Sequence, residues 1–202
     1  MKLRPAIALL LFVLGGAAGL VGDHCHVITG TIAYLPSSHT VPFVWSSPLW
    51  FPLMVGLAAV ALAEFRLHLP APRTDVTVRQ GVAGIAALLG IYVITALLHT
   101  ASAFAVTVLI AALTVLTYCT LGDRAASVGA AVVAVGGPAV EAAIAATGRF
   151  RYAADSDSLF GVPPWLPILY VAFGIVAALL GEIAQGLSAH RAERAEKATQ
   201  SR

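Results

Sequence analysis

Long apolar runs broken by short polar connections are the dominant pattern along this chain of 202 residues. Each run is near the length of about 20 residues that an α-helix needs to cross ~30 Å of hydrocarbon. Six such runs predict an all-α membrane protein with six transmembrane helices, forming a single domain. The predicted spans are residues 5–21, 50–65, 81–98, 103–121, 125–147 and 165–187, followed by a charged tail at residues 188–202.

The fifth predicted span carries two features that interrupt its apolar pattern. Pro138 follows two glycines, and a proline in a helix interior removes a backbone hydrogen bond, so a kink is predicted there. Glu141 lies one turn further on, and a carboxyl group at membrane depth usually faces a cavity or a partner rather than lipid. This span is therefore predicted to form one wall of an internal site.

Composition supports membrane residence and excludes several classes of protein. The chain is 59% hydrophobic and 11% charged, whereas a soluble domain has roughly a quarter of its residues charged. A formal charge of +2, with basic residues spread along the chain, gives no indication of a nucleic-acid partner. Two cysteines in different segments support neither a disulfide framework nor a zinc site, and no cofactor is expected.

The first span and the segment after it each allow two interpretations. Residues 1–21 resemble a signal peptide in charge, but no convincing cleavage site is present, which favours a retained helix. Residues 22–48 include Asp23, His24, Cys25 and His26, which are possible metal ligands. Adjacent residues on an extended segment point to opposite faces, so an ordered external loop is the favoured interpretation.

Orientation follows from the distribution of basic residues near the ends of the spans. Ten of the twelve Lys and Arg residues fall on one side, and only Arg149 and Arg151 fall on the other. Basic residues favour the cytoplasmic side, which predicts that both termini are cytoplasmic and that residues 22–48 lie outside.

Several segments, in order, resemble the insulin-induced gene (Insig) family of six-span membrane proteins. These are WSSPLWFP at residues 45–52, the fourth span ending in Asp123-Arg124, GRFRY at 148–152, WLP at 165–167 and GEIAQ at 181–185. HTASA at 99–103 is also similar to a family segment, with a shorter connection after it. The short loops and the Ala/Gly/Val-rich spans suggest a bacterial homologue.

The resemblance implies a non-enzymatic protein that binds a sterol or another apolar lipid and engages membrane-protein partners. Asp123 matches a family aspartate needed for partner engagement, and Arg124 adjoins it. Glu141 and Ala142 occupy the place of a family Thr-Gln pair near the lipid pocket, which is a departure from the family pattern. The expected location is the bacterial inner membrane for a bacterial homologue, or the endoplasmic reticulum for a eukaryotic one.

Three interpretations of Glu141 follow from these observations. Its neutral form could donate a hydrogen bond to a sterol-like or acylglycerol-like ligand, with Pro138, Ala142, Thr95 and Tyr118 as further candidate ligand-binding residues. It could instead only bond a neighbouring helix through Thr95, Tyr118 or Thr114. The third interpretation is a small transporter or channel, which is less favoured because no second deep ionisable group is evident. Small residues on the helix faces allow a dimer or trimer.

Overall fold

Six long helices make up most of the chain. The computed structural model describes residues 2–154 and 156–200, with side chains as far as residue 189. The helices are α1 (Pro5–Thr29), α2 (Trp50–His68), α3 (Val78–Leu97), α4 (Ala103–Leu121), α5 (Arg124–Ala146) and α6 (Leu166–Gln200). Within the described part, six helices are long and apolar enough to cross a membrane. The prediction of an all-α membrane fold with six spans is confirmed.

Helix α6 is the centre of the bundle. In an 18-residue stretch of its spanning part, Leu166–Ala189, 67% of the residues are buried, compared with at most 33% in the corresponding stretch of the other five spans. It packs against α2, α3, α4 and α5, while α1 packs on α2 and α3. The outer faces of the surrounding helices carry exposed apolar side chains, as expected where a protein contacts lipid.

Local sequence fixes where several helices begin. Thr77 caps α3, because its side chain accepts a hydrogen bond from the Gln80 N–H. The Gln80 side-chain oxygen in turn accepts a hydrogen bond from the Thr77 N–H. Ser102 caps α4, and Asp123 caps α5 by accepting from the Ala126 N–H at 2.6 Å. Helix α5 continues through Pro138.

A small cap of extended segments covers one end of the bundle. Strand β1 (Ile32–Tyr34) pairs antiparallel with β4 (Phe150–Tyr152), which joins the α1–α2 and α5–α6 connections. Between β1 and α2 lie a 3-10 helix (Pro36–Thr40) and a hairpin of β2 (Phe43–Val44) and β3 (Ser47–Pro48). We call this assembly, residues 31–49 and 150–152, the cap.

The structure corrects the predicted loop at residues 22–48, because its first eight residues belong to α1. Gly30, with φ of 79°, ends this helix in the left-handed conformation, and its N–H bonds the Val27 carbonyl. Polarity suggested a loop, but Asp23 and His26 are fully buried inside the protein. Helix α2 likewise extends to His68, and α6 extends through most of the predicted tail, while residues 201–202 lie outside the described part.

Candidate functional site

A cavity of about 400 Å³ lies inside the bundle, between α1, α2, α3, α5 and α6. Its wall is formed almost entirely by aliphatic side chains, phenylalanines and glycines. Representative lining residues are Leu14, Val55, Leu62, Leu89, Val133 and Phe173. The polar residues of the lining are Tyr92, Glu141 and Tyr170. The volume falls within the range of roughly 300–1,000 Å³ that is typical of small-molecule sites.

Glu141 is buried at the polar end of this cavity and accepts hydrogen bonds from two tyrosines. The Tyr170 hydroxyl, from α6, donates to Oε1 at 2.6 Å, and the Tyr152 hydroxyl, from β4, donates to Oε2. Burial raises the pKa of Tyr152 well above its ordinary value, so this phenol keeps its proton and remains a donor. Through these bonds the carboxyl group joins α5 to α6 and to the cap.

Two glycines make room for the tyrosine rings at the cavity. A Cβ atom on Gly137 would lie 2.5 Å from the ring of Tyr170, and a Cβ on Gly22 would lie 1.9 Å from the ring of Tyr92. Both distances are far below van der Waals contact, so only glycine allows the rings to approach these helices so closely. The positions of both tyrosines therefore depend on small residues on neighbouring helices.

The other predicted ligand-binding residues do not line the cavity. Pro138 is buried, and Ala142 packs against the apolar core next to Glu141. Thr95 is buried on α3 and donates to the Tyr92 carbonyl at 2.6 Å. Tyr118 lies on α4 with 36% of its surface exposed. The bonding partners of Glu141 are Tyr152 and Tyr170 rather than the threonines and Tyr118 considered from the sequence.

A second carboxyl group, Asp23, is buried near the same end of the bundle. Its Oδ2 accepts hydrogen bonds from the hydroxyls of Tyr34, at 2.9 Å, and Ser47. Both donors belong to the cap, so Asp23 ties α1 to the cap as Glu141 ties α5 to it. The sequence argument that no second deep ionisable group accompanies Glu141 is wrong, because Asp23 was placed in an external loop.

The neighbouring histidines of α1 also make intramolecular contacts. The His26 ring is fully buried, with Nδ1 at 2.9 Å from the Gly22 carbonyl and Nε2 at 2.9 Å from Thr95 Oγ1. His24 stacks on Trp45 and lies 2.9 Å from Ser46 Oγ through Nδ1. These contacts attach the last turns of α1 to α3 and to the cap.

A cluster of two arginines and two carboxylates lies at the opposite end of the bundle. Arg66 Nη2 is 2.7 Å from Asp123 Oδ2 and 2.6 Å from Glu182 Oε1, and Arg73 Nη2 is 2.7 Å from Glu182 Oε2. The side chains of Arg66 and Glu182 are 1% and 0% exposed, so both charges are buried inside the protein. The attraction between their opposite charges, together with the hydrogen bonds that the arginines donate, offsets the free-energy cost of burying them.

The two predicted partner-binding residues differ in their surroundings. Asp123 is bonded to Arg66 and to the first turn of α5, and its side chain remains 23% exposed. Arg124 follows it on α5 and is exposed. The charges beside Asp123 at this end of the bundle are therefore those of Arg124 and of Arg73, whose Nε is 3.9 Å from Asp123 Oδ2 and whose side chain is 24% exposed.

Sequence reasoning missed the contributions of Asp23, Tyr152, Tyr170 and Glu182. A helical reading of residues 22–29 would have placed Asp23 and His26 three residues apart on one face of α1. Glu182 is far along the chain from Arg66 and Arg73, and no local pattern brings it to them. Tyr152 belongs to GRFRY at residues 148–152, a segment that indicates the family but carries no local sign of a site.

Comparisons with known proteins give the family of the chain. No family model matches it. The chain is 55% identical over 184 residues to an Insig protein homolog from Mycolicibacterium vanbaalenii, covering 91% of this chain and 89% of the relative. The crystal structure of a mycobacterial Insig homolog, MvINS from Mycobacterium vanbaalenii, matches with a TM-score of 0.89 and 55% identity, covering 91% of this chain and 96% of that chain. A structure of a cross-linked MvINS trimer matches to the same extent. The chain therefore belongs to the Insig family of membrane proteins.

Proposed function

We propose that this protein binds an apolar lipid, sterol-like or acylglycerol-like, in the internal cavity and acts as a non-enzymatic lipid sensor or regulatory scaffold. The observation that carries the proposal is the cavity of about 400 Å³, whose apolar wall ends at Glu141, Tyr92 and Tyr170. An apolar wall favours a hydrocarbon ligand, since burial contributes about 25 cal/mol per Å² of apolar surface. A few polar groups at one end suit a ligand with a single polar end.

The arrangement of charged groups supports a binding role over a catalytic one. Both oxygens of Glu141 already accept hydrogen bonds from tyrosines, which restricts this group as a base. Among the residues whose side chains are described, the other buried acidic groups are Asp23, bonded to the cap, and Glu182, paired with arginines at the opposite end. Catalysis would need a nucleophile, a base and a hydrogen-bond donor that meet at one reacting atom. These acidic groups instead have their own partners at different places in the bundle.

We assign the protein to the cell membrane of a bacterium, since the matched relative is bacterial.

We further propose that the surface around Asp123 and Arg124 contacts a membrane-protein partner. Because Asp123 is bonded to Arg66, a partner would reach its exposed edge together with the Arg124 side chain. Arg124→Glu should weaken the capture of a partner by cross-linking in cells. Asp75→Lys, a charge reversal at an exposed residue, should leave the capture unchanged.

Self-association is part of the same proposal. The cross-linked trimer of MvINS favours a trimer over a dimer for this close relative. Large apolar side chains such as Phe104 and Val115 on α4 are exposed and available to pack against a second copy. Native mass spectrometry of the protein in detergent should detect trimers, and a purely monomeric spectrum at micromolar concentration would contradict this assignment.

Lipid binding is tested by mass spectrometry of lipids that co-purify with the protein in mild detergent. Gly136 lines the cavity, and a side chain added there would enter open space. Gly136→Leu should therefore reduce the co-purified lipid severalfold. Gly90→Leu is the matched control, because Gly90 also faces open space but does not line the cavity. Recovery of only bulk phospholipid, equal in wild type and Gly136→Leu, would overturn the proposal.

One observation favours the alternative of a small transporter or channel that uses Glu141 as a proton or cation relay. Asp23 and Glu141 are both buried and line one small void. A relay would make proton flux into proteoliposomes depend on both carboxyl groups. Flux in wild type that is lost in Glu141→Gln would establish transport, and flux equal to that of empty liposomes would exclude it.

A further inference from the structure

A small void lies between Asp23 and Glu141, beside the main cavity. Its volume is about 10 Å³, close to the space that one water molecule requires. Its lining includes Asp23, Tyr34, Tyr152 and Glu141. Glu141 and Tyr92 line both the void and the main cavity, so the two spaces are adjacent.

Asp23 has a hydrogen-bonding position that the protein leaves unused. The residue is fully buried, and Oδ2 accepts from Tyr34 and Ser47. Its other oxygen, Oδ1, has no hydrogen-bond partner among the described residues. A buried carboxyl oxygen without a donor is unfavourable, and such groups in native proteins usually bond ordered water or a ligand.

We propose that this void, the Asp23 subsite, binds one hydroxyl group or one water molecule that donates a hydrogen bond to Asp23 Oδ1. The geometry favours a donor because two carboxyl groups line the void, and two of its three phenols, Tyr34 and Tyr152, already donate to them. The third phenol is Tyr92. A metal ion is disfavoured, since the described residues contain no cluster of three acidic, histidine or cysteine ligands.

The hydroxyl group can come from water or from the polar end of a lipid in the main cavity, and the second source depends on the proposed function. A lipid with a free alcohol placed at Glu141 would have that alcohol next to the subsite. An ester or ether at the same position cannot donate to Asp23. The subsite would thus make the protein selective for lipids that carry a free hydroxyl group.

The test compares a diacylglycerol with its O-methyl ether, using full-length protein in nanodiscs and native mass spectrometry to measure binding. Wild type should bind the alcohol about tenfold more tightly, the effect of one lost buried hydrogen bond. Asp23→Asn keeps an oxygen for Tyr34 and Ser47 but presents an amide donor at the Oδ1 position. The preference should then fall to about twofold or less.

Ser47→Ala is the matched control, because it removes a bond to Asp23 Oδ2 and leaves Oδ1 unchanged, and Ser47 does not line the void. This variant should retain the preference for the alcohol, even where both affinities decrease. The comparison in wild type needs no variant, so it remains decisive where Asp23→Asn does not fold.

The remaining outcomes separate the two sources. Equal binding of alcohol and ether, with an ordered water within hydrogen-bond distance of Asp23 Oδ1 in a high-resolution structure, would assign the subsite to water. Equal binding with no water there would overturn the proposal. Failure of both lipids to bind would contradict the proposed function, and the search for the ordered water would then decide the subsite alone.

Discussion

The ring of Tyr170 lies against Gly137, in the space that a Cβ atom on residue 137 would occupy. Three ring atoms would be 2.5–2.6 Å from that Cβ, which is closer than real side chains approach. Because the same tyrosine donates to Glu141, the glycine determines whether the carboxyl group receives its bond from α6. The sequence of this region, Gly136-Gly137-Pro138, predicts a bend and a surface for close approach of a neighbour, and the contact with Tyr170 is of that second kind.

Gly137→Ala should displace Tyr170 and break its bond to Glu141. The expected cost is about 1–3 kcal/mol of unfolding free energy, from overpacking and the lost hydrogen bond. Thermal unfolding in detergent measures it. Gly136→Ala is the control: its Cβ would meet open space, and alanine improves helix propensity. Equal melting temperatures for the two variants would contradict the assigned role of Gly137.

Glu182→Gln should destabilise the protein strongly, because both arginines of the buried cluster lose a charged partner. Removing one partner of a buried ion pair costs about 3 kcal/mol or more. The measurement is the melting temperature, compared with that of Asp75→Asn, an exposed carboxylate between α2 and α3. A change in Glu182→Gln as small as that in Asp75→Asn would show that the cluster contributes little to stability.

Alkaline pH should destabilise the cap through Tyr34 and Tyr152. Burial raises the pKa of both phenols, and the nearby carboxyl groups of Asp23 and Glu141 add to the effect. The folded pKa therefore lies above the unfolded value of about 10. The stabilisation is fully present below pH 10 and is lost as the pH rises toward the folded pKa.

This prediction is measured by unfolding at a series of pH values between 8 and about 12. Tyr152→Phe should show a smaller loss of stability over that interval than wild type, since it has one buried phenol fewer. Appearance of tyrosinate absorbance for all five tyrosines, while the folded near-ultraviolet signal persists, would refute it.

The predicted orientation is tested with single cysteines in a background carrying Cys25→Ser and Cys119→Ser. Ser158 is exposed near the cap, and Asp75 is exposed at the end with the arginine cluster. A membrane-impermeant maleimide should label Ser158→Cys on intact cells and Asp75→Cys only after permeabilisation. The reverse pattern would place both termini outside.

The helices could be predicted from sequence because twenty apolar residues have few alternatives to a membrane span. Glu141 could be predicted as a buried group for the same reason. Asp23 could not, because polarity near the end of an apolar run indicates a connection unless its hydrogen-bond partners are known. Those partners, Tyr34 and Ser47, come from the segment that folds back over the bundle.

Contacts between residues that are far apart in sequence could not be predicted, whereas features within one helix could. Arg66 looks like an interfacial residue in its own helix, and only Asp123 and Glu182 explain why it is buried. The Glu141 pocket has the same property, because its donors lie on β4 and α6. A sequence pattern reports burial for each helix separately, whereas these pairings depend on how the helices assemble.

The pairing of β1 with β4 has a consequence for how the protein is made. Ile32 pairs with Tyr152, so the first strand leaves the ribosome long before its partner. At about 5–20 residues per second, that interval is roughly ten seconds. During this time the backbone of β1 lacks its partner strand, although Tyr34 and Ser47, the donors to Asp23, are already synthesised. The cap can therefore be completed only after the fifth helix has been synthesised.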